Sequence, residues 1–365
     1  MIENGFETIE DIIDEANSNL QFEITTKLSV SHLEGSLREL LESQAIKAEI
    51  VNVGSTNTRR FTAVSEIMDP WKRFEPDIDI YVITQERLSE FAVQNVCDRL
   101  QVPGLMIYDH KMPTYYCSVN GIPAEISFIP KTEEQKHAPL QYHRLGIPLD
   151  SKQVAEIKGL TLFLKRGGLY GGWNSGIKRL AAEQLIIQTG SIAEGLRQLY
   201  TGLNSDSGEI IITNPLDGKD ITQNVSDYVV STLDLWLNFI FDRGGGFPTS
   251  AFNPFVWYSR HSDAYPDSFG VQCHAGFCAH RPRDLFYMAH RMLERTAASR
   301  NEKLVDSVVF IVPYNTGTGI YVATNNSDNP LKDPGLFFRG FSRRIGSFDA
   351  EHKAKNNIPF HSVKG

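Results

Sequence analysis

Asp77-Ile78-Asp79-Ile80-Tyr81-Val82-Ile83-Thr84 (DIDIYVIT, 77–84) is the stretch that decides how this sequence is read. Its β-branched and aromatic content predicts a strand. Side chains alternate along a strand, so Asp77 and Asp79 share one face while Ile78, Ile80 and Val82 point into a core. Two carboxylates side by side repel unless something positive lies between them, and a hard divalent cation with oxygen ligands is the usual answer. Upstream, AEIVNV (48–53) predicts a second strand that runs straight into Gly54-Ser55. That pair reads as a strand-to-helix junction, whose backbone N–H groups and hydroxyl suit phosphate oxygens. Downstream, TYYCSVN (114–120) and IPAEISFI (122–129) are split by Gly121 as a hairpin, and Glu125 follows the same alternation. A third carboxylate is what a two-metal site needs, and such a site suits phosphoryl transfer. The competing reading makes DIDI a solvated edge strand and GS a plain turn. It is the better one for either motif alone, but the order, the spacing and Glu125 together favour the site.

Around this centre, residues 5–20 and 28–44 have helical apolar spacing (Ile9, Ile12, Ile13; Leu33, Leu37, Leu40, Leu41), and a helix is predicted over about 85–98. The result is a mixed sheet of four or five strands with flanking helices, an α+β domain over 1–138. Residues 139–250 read as a helical middle domain, with helices over 151–166, 177–188, 191–200 and 227–242. The Gly-, Pro- and Ser-rich stretch 243–255 reads as a loop. Residues 251–365 read as a small α+β C-terminal domain with a helix over 283–298, strands over 305–312 and 319–324, and a basic tail.

The 365 residues are 41% hydrophobic and 22% charged, an ordinary balance for a globular chain. No apolar run is long enough to span a bilayer, and the N-terminus is acidic, so a cytoplasmic protein without membrane association is expected. Four cysteines (Cys97, Cys117, Cys273, Cys278) make no disulfide framework. The net charge of −8 argues against a protein that coats nucleic acid. Residues 331–365 hold seven Lys/Arg against three acids, or +4, which leaves −12 for the rest. Cys273-His274, Cys278 and His280 are spaced poorly for one tetrahedral zinc. The stretch NTGTG (315–319) lacks a lysine and reads as a hairpin turn rather than a phosphate loop. Tyr115 and Tyr116 read as packing residues, ahead of the alternative in which a tyrosine hydroxyl primes synthesis.

These motifs resemble the DNA polymerase β superfamily of nucleotidyltransferases, and within it archaeal-type CCA-adding enzymes. FLKRGGLYGGWNSGIKRLAAEQLIIQTGSI (163–192) is similar to that family's tyrosine-glycine pair followed by a helix and a GS turn, and IITNPLDGKDITQNVS (211–226) to its "DP…DP…RNVA" segment. The resemblance covers roughly residues 45–240. It implies a palm sheet and template-independent joining of nucleoside monophosphates from NTPs, ATP among them, or dNTPs to a hydroxyl acceptor with release of pyrophosphate. It implies Asp77, Asp79 and Glu125 as catalytic ligands of two Mg²⁺ ions, with Mn²⁺ as a substitute, and Gly54, Ser55, Arg59, Arg60, His143, Lys158 and Tyr170 as nucleotide-binding residues. The chain departs from the family in four places. Glu125 replaces an Asp, and Thr161 takes the place of a lysine, with Lys158 or Lys165 as its replacement. The basic residue after GS moves to Arg59 or Arg60, and Gln223 precedes Asn224 in place of an arginine. The chain also resembles nucleotidyltransferases of bacterial antiphage systems of the Hailong and Clover type, which implies an oligonucleotide or nucleotide signal and an effector protein as partner. The alternatives are tRNA 3′-terminal addition, a tRNA-modifying toxin and a catalytically silent binder.

Overall fold

The computed structural model of the chain describes residues 6–64, 77–109, 112–167, 169–171, 176–205, 210–242, 247–248, 267–274, 286–287, 289–291, 295, 307–314 and 317–324. In chain order these hold strand β1 (Phe6–Glu7), helices α1 (Ile9–Ser18) and α2 (Leu20–Ser43), strands β2 (Ala48–Val53) and β3 (Ile78–Thr84), and helix α3 (Glu90–Arg99). Strands β4 (Gly104–Asp109), β5 (Met112–Val119) and β6 (Ile122–Pro130) follow, then a 3-10 turn (Lys131–Lys136) and helices α4 (Ala138–Leu145), α5 (Ser151–Arg166), α6 (Arg179–Thr189), α7 (Ile192–Leu203) and α8 (Asp227–Asp242). The last strands are β7 (Phe247–Pro248), β8 (Asp267–His274), β9 (Ser307–Tyr314) and β10 (Gly317–Thr324).

Strands β2 to β6 form one mixed sheet in the order β2-β3-β6-β5-β4, in which β3 and β6 run parallel and the other pairs antiparallel. With its flanking helices this is the expected α+β architecture. Alternation sends Ile78, Ile80 and Val82 with Ala124, Ile126 and Phe128 to one face. Val30, Leu33, Leu37 and Leu41 of α2 and Val93, Val96 and Cys97 of α3 bury that face. The opposite face carries Asp79, Tyr81, Glu125 and Ser127. At its β2 end, Leu140 of α4 packs with Val51, Val53, Ile83 and Ile129.

A second core joins α1 to the later helices, through Ile12, Phe163, Leu164, Ala182, Leu185, Leu196, Leu199 and Leu237. Local chemistry sets the ends of these helices. Reciprocal side-chain caps start α1 (Thr8 with Asp11) and α5 (Asp150 with Gln153), and the Ser191 side chain caps α7. Gly190, at φ 84°, ends α6 in the left-handed conformation that a residue with a Cβ avoids.

Several elements differ from expectation, among them the short strands β1 and β7, which fall where a helix and a loop were expected. Helix α2 starts at Leu20 rather than 28. Its first turns expose Leu20, Ile24 and Leu28 while burying Thr26 and Ser29, so the apolar pattern there does not mark the inner face. Strand β4, helix α4 and strand β8 were not expected. The first is an edge strand with Leu105 and Ile107 exposed, and the second is only eight residues long. The third lengthens the C-terminal hairpin into an antiparallel sheet, β8-β10-β9. Gly317 pairs with Tyr314 where β9 and β10 meet, and the last three residues of NTGTG lie in β10. The described residues between 286 and 295 are helical. Cys278, His280, most of the 243–255 loop and the basic tail lie outside the described residues. No helix among the described residues is long and apolar enough to cross a membrane.

Candidate functional site

In the sheet register Asp79 stands opposite Glu125 on the adjacent parallel strand, and Val53 stands opposite Asp79 on its other side. Asp77 lies two residues before Asp79, just ahead of β3, and its charge reaches Glu125. Burial first and Asp77 second raise the Glu125 pKa above its ordinary value. Burial, Asp79 and Glu125 together push the Tyr81 phenol up to about 12, so it stays protonated beside the acids. The three carboxylates therefore share one sheet face and one electrostatic neighbourhood.

Gly54 ends β2 at φ 74°, and a Cβ there would collide with Asp79 Oδ2. Only glycine lets the backbone come this close to the carboxylate. The turn is stitched to the acid-bearing strand: Thr56 Oγ1 donates to the Asp77 carbonyl (3.1 Å) and Asn52 Nδ2 to the Asp79 carbonyl (3.3 Å). After Ser55 the chain makes turns to Arg60 and has no regular structure through Val64, where the sequence had suggested a helix. Asn57 supplies the reason. Its Oδ1 accepts the Arg59 N–H (3.0 Å), a local side-chain bond that competes with helical pairing.

That bond also fixes which way the Asn57 amide points. Nδ2 donates to the Asn52 carbonyl (2.9 Å) and lies 3.0 Å from His143 Nδ1. With both Asn57 protons directed outward, His143 Nδ1 must accept, and the neutral ring carries its proton on Nε2. Burial, Arg144, Arg60 and Arg59 all lower the His143 pKa, which keeps the ring neutral.

These groups line one cavity of about 590 Å³. Gly54, Ser55, Asp77, Asp79, Tyr81 and Glu125 lie on the sheet side, and Asn57, Arg60, Thr62, Tyr142 and His143 beside them. Thr161, Lys165, Tyr170, Lys178 and Arg179 come from the helical side. Arg60 and Arg179 are both drawn to Glu183, which is fully buried. Arg60 pairs with Glu183 Oε1, donates to the Ile147 carbonyl (3.0 Å) and lies 5.1 Å over the Tyr142 ring. Arg179 donates from Nε to Thr62 Oγ1 (3.1 Å) and sits 2.8 Å from Glu183 Oε2, a contact that is close but outside hydrogen-bond geometry. One acid between two guanidiniums leaves this wall net positive. Lys165 Nζ donates to the Val64 carbonyl (3.1 Å) and stands 5.5 Å over Tyr170. Thr161 Oγ1 is buried in the same wall without a hydrogen-bond partner.

Of the ten residues singled out in the sequence, Asp77, Asp79, Glu125, Gly54, Ser55, Arg60, His143 and Tyr170 line the cavity. Two lie outside it. Arg59 is exposed. Lys158 is buried, bonded to Glu23 Oε2 (2.7 Å) and placed over the Phe61 ring. Lys165, two helical turns further on, reaches the cavity instead. The sequence reading missed Asn57, Tyr81, Tyr142, Lys178, Arg179 and Glu183. Arg179 and Glu183 have the i,i+4 spacing of an ordinary surface helix pair, and nothing local shows that they face inward.

In donor type and placement the acids suit a hard divalent cation: all are oxygens, on one face, with Gly54 leaving room beside Asp79. Among the described residues, however, no three His, Cys, Asp or Glu side chains stand gathered to hold a metal ion.

No protein-family model and no curated protein matches the chain. Solved structures similar to it include a poly(U) polymerase with Mg 3′-dATP bound (13% identity, 78% of this chain, 94% of that one, TM-score 0.37). The polymerase core of TRAMP, an RNA surveillance complex, shares 14% identity over 65% and 84% of the two chains (TM-score 0.36). The Vibrio cholerae di-nucleotide cyclase in complex with GTP shares 12% over 64% and 80% (TM-score 0.32). At these low scores the likenesses carry no argument, and the functional reading rests on the chain's own residues.

Proposed function

We propose that the chain is a metal-dependent, template-independent nucleotidyltransferase. It joins a nucleoside monophosphate from an NTP or dNTP to a hydroxyl acceptor and releases pyrophosphate. The observation that carries this reading is that one cavity is lined both by Asp77, Asp79 and Glu125 and by Arg60, Lys165, Lys178 and Arg179. A triphosphate fits between them, because the cations match its charge and the acids accept only what arrives with a divalent cation.

Asp77, Asp79 and Glu125 would hold Mg²⁺, which supplies charge neutralisation at the transferring phosphate and lowers the barrier to attack by a hydroxyl. The chain's own residues orient the donor. Arg60 and Arg179, both pointed by Glu183, bind the outer phosphates. His143 Nε2–H donates to a phosphate oxygen, and Thr161 Oγ1 gains the partner it lacks. Tyr170 offers its ring to the base. The acceptor oxygen bonds to the α-phosphorus as the bond to the pyrophosphate oxygen breaks.

The product is proposed to be an oligonucleotide or nucleotide signal acting with an effector protein in bacterial antiphage defence, within the cytoplasm. This step is supported by the sequence resemblance alone. The test is to incubate the protein and its Asp79→Asn variant with Mg²⁺ and each NTP and dNTP, with and without tRNA, and to identify products by mass spectrometry. A metal-dependent product formed without tRNA and lost in the variant is expected. Product on tRNA ends only would transfer the reading to tRNA 3′-terminal addition, and no product in any mixture would sink it.

A further inference from the structure

The row of residues that holds the acids does not stop at Glu125. Glu125 pairs with Tyr116 on β5, and Tyr116 pairs with Leu105 on the edge strand β4, so Val53, Asp79, Glu125, Tyr116 and Leu105 lie in one line across the sheet. Ile107 shares the Leu105 face two residues on. Past the acids this line reaches the surface: Tyr116 is 38% exposed, Ile107 47% and Leu105 64%. Neighbouring Tyr115 behaves differently. It points into the other core, 6% exposed, with its hydroxyl donating to the Val102 carbonyl (2.6 Å). None of Tyr116, Leu105 and Ile107 lines the donor cavity.

The carboxylates thus divide two unlike territories. On one side lies a cavity with a cationic wall. On the other lies an aromatic and aliphatic shelf, where the residues that share this face on β4 and β5 between 105 and 107 and between 114 and 118 are Leu105, Ile107, Thr114, Tyr116 and Ser118, none of them charged and Thr114 alone among them buried, at the β6 side. We infer that the shelf of Tyr116, Leu105 and Ile107 holds the acceptor, by stacking the base of its terminal nucleoside, so that its sugar hydroxyl reaches the carboxylates. Two features select this occupant. The shelf continues the acid row, so a group resting on Tyr116 is one strand from Glu125, within a nucleoside's length. Its lack of charge also suits a base face better than a phosphate backbone. The acceptor is accordingly a nucleotide or short oligonucleotide gripped by its end, and its binding depends weakly on salt. This inference rests on the nucleotidyl-transfer reading for its chemistry but not for its binding.

The experiment pairs two readouts on the wild type and on the Tyr116→Ala, Tyr116→Phe and Leu105→Ser variants. The first is quenching of a trinucleotide ending in 2-aminopurine, at low and high salt. The second is the KM for a trinucleotide acceptor against the KM for the donor NTP. Quenching in the wild type that persists at high salt is expected. Tyr116→Ala should weaken acceptor binding about tenfold with the donor KM unchanged, Tyr116→Phe should restore it, and Leu105→Ser should fall between. Quenching that holds while no transfer occurs would uphold the shelf and sink the transfer reading. The shelf is overturned by absent quenching in the wild type, by binding that Tyr116→Ala leaves unchanged, or by a Tyr116→Phe as impaired as Tyr116→Ala. It is also overturned if Leu105→Ser dissociates a dimer without touching trinucleotide binding, since a second copy would then be the occupant.

Discussion

The two faces of the five-stranded sheet come from the same strands by simple alternation, yet they do opposite work. On one face Ile80, Ile126 and Val82 are fully buried beneath α2 and α3. On the other, at the same levels of the same strands, Asp79 and Glu125 stand side by side with a half-buried phenol and a cavity. Burial stabilises the first face at roughly 25 cal/mol per Å² of apolar surface. Burial first and the Asp77 charge second raise the Glu125 pKa, so keeping that carboxylate ionised costs the second face stability. A strand can carry both because its period is two, so the face that stabilises the fold is paired residue for residue with the face held ready for a ligand.

Asp79→Asn breaks the comparison most sharply. Activity should fall at least about 100-fold, because the charge facing the reacting phosphate is removed. The unfolding midpoint should stay level or rise, since a source of repulsion goes with it. Thermal unfolding beside an activity assay checks this, and a variant that unfolds more easily would show that Asp79 serves the fold. Glu183→Ala comes next and acts on the two guanidiniums of the cavity lining. Removing one member of a buried ion cluster costs about 3–5 kcal/mol. The lower end is expected here because Arg60 and Arg179 border the cavity and can rehydrate. Denaturant titration measures the loss, and the KM for NTP should rise as the guanidiniums lose their direction. Ile126→Val, one residue from Glu125 but on the opposite face, should cost only about 1 kcal/mol and leave turnover by folded molecules intact. A lost turnover would mean that the two faces are coupled through the strand.

The same contrast explains what could be read from the sequence. The buried face was legible because period-two apolar runs are a global signal, so β2, β3 and β6 emerge within a residue or so of their predicted ends. The acids were legible because charged residues on a predicted core strand break that pattern. The cationic wall was only half legible. Tyr170 and Arg60 came from motif resemblance, whereas Arg179, Glu183 and Lys178 belong to a helix whose orientation is set by packing between distant segments, which no local pattern encodes. Lys158 and Lys165 show the limit clearly. Both are lysines on α5 seven residues apart, and only the way that helix packs, with α1 against it, decides that one pairs with Glu23 while the other reaches the cavity.

The smallest predicted effect concerns His143, at the seam between the cavity and the sheet. Burial leads the causes that hold its pKa below the ordinary 6.5, followed by Arg144, Arg60 and Arg59. The unfolded chain therefore binds a proton near pH 6.5 more readily than the folded one. Stability from this group is present above about 6.5 and is lost as pH falls below it towards the lowered folded value. The structural cause is visible: a proton on Nδ1 would face the Asn57 amide N–H that this nitrogen now accepts. The slope stays under one proton's limit of about 1.4 kcal/mol per pH unit. Replacing His143 by Gln should flatten it, as should Asn57→Asp, whose carboxylate would welcome the proton. Unfolding free energies measured across this pH range for the three proteins decide the matter. Three parallel curves would place the acid sensitivity of the fold elsewhere, on the carboxylate face itself.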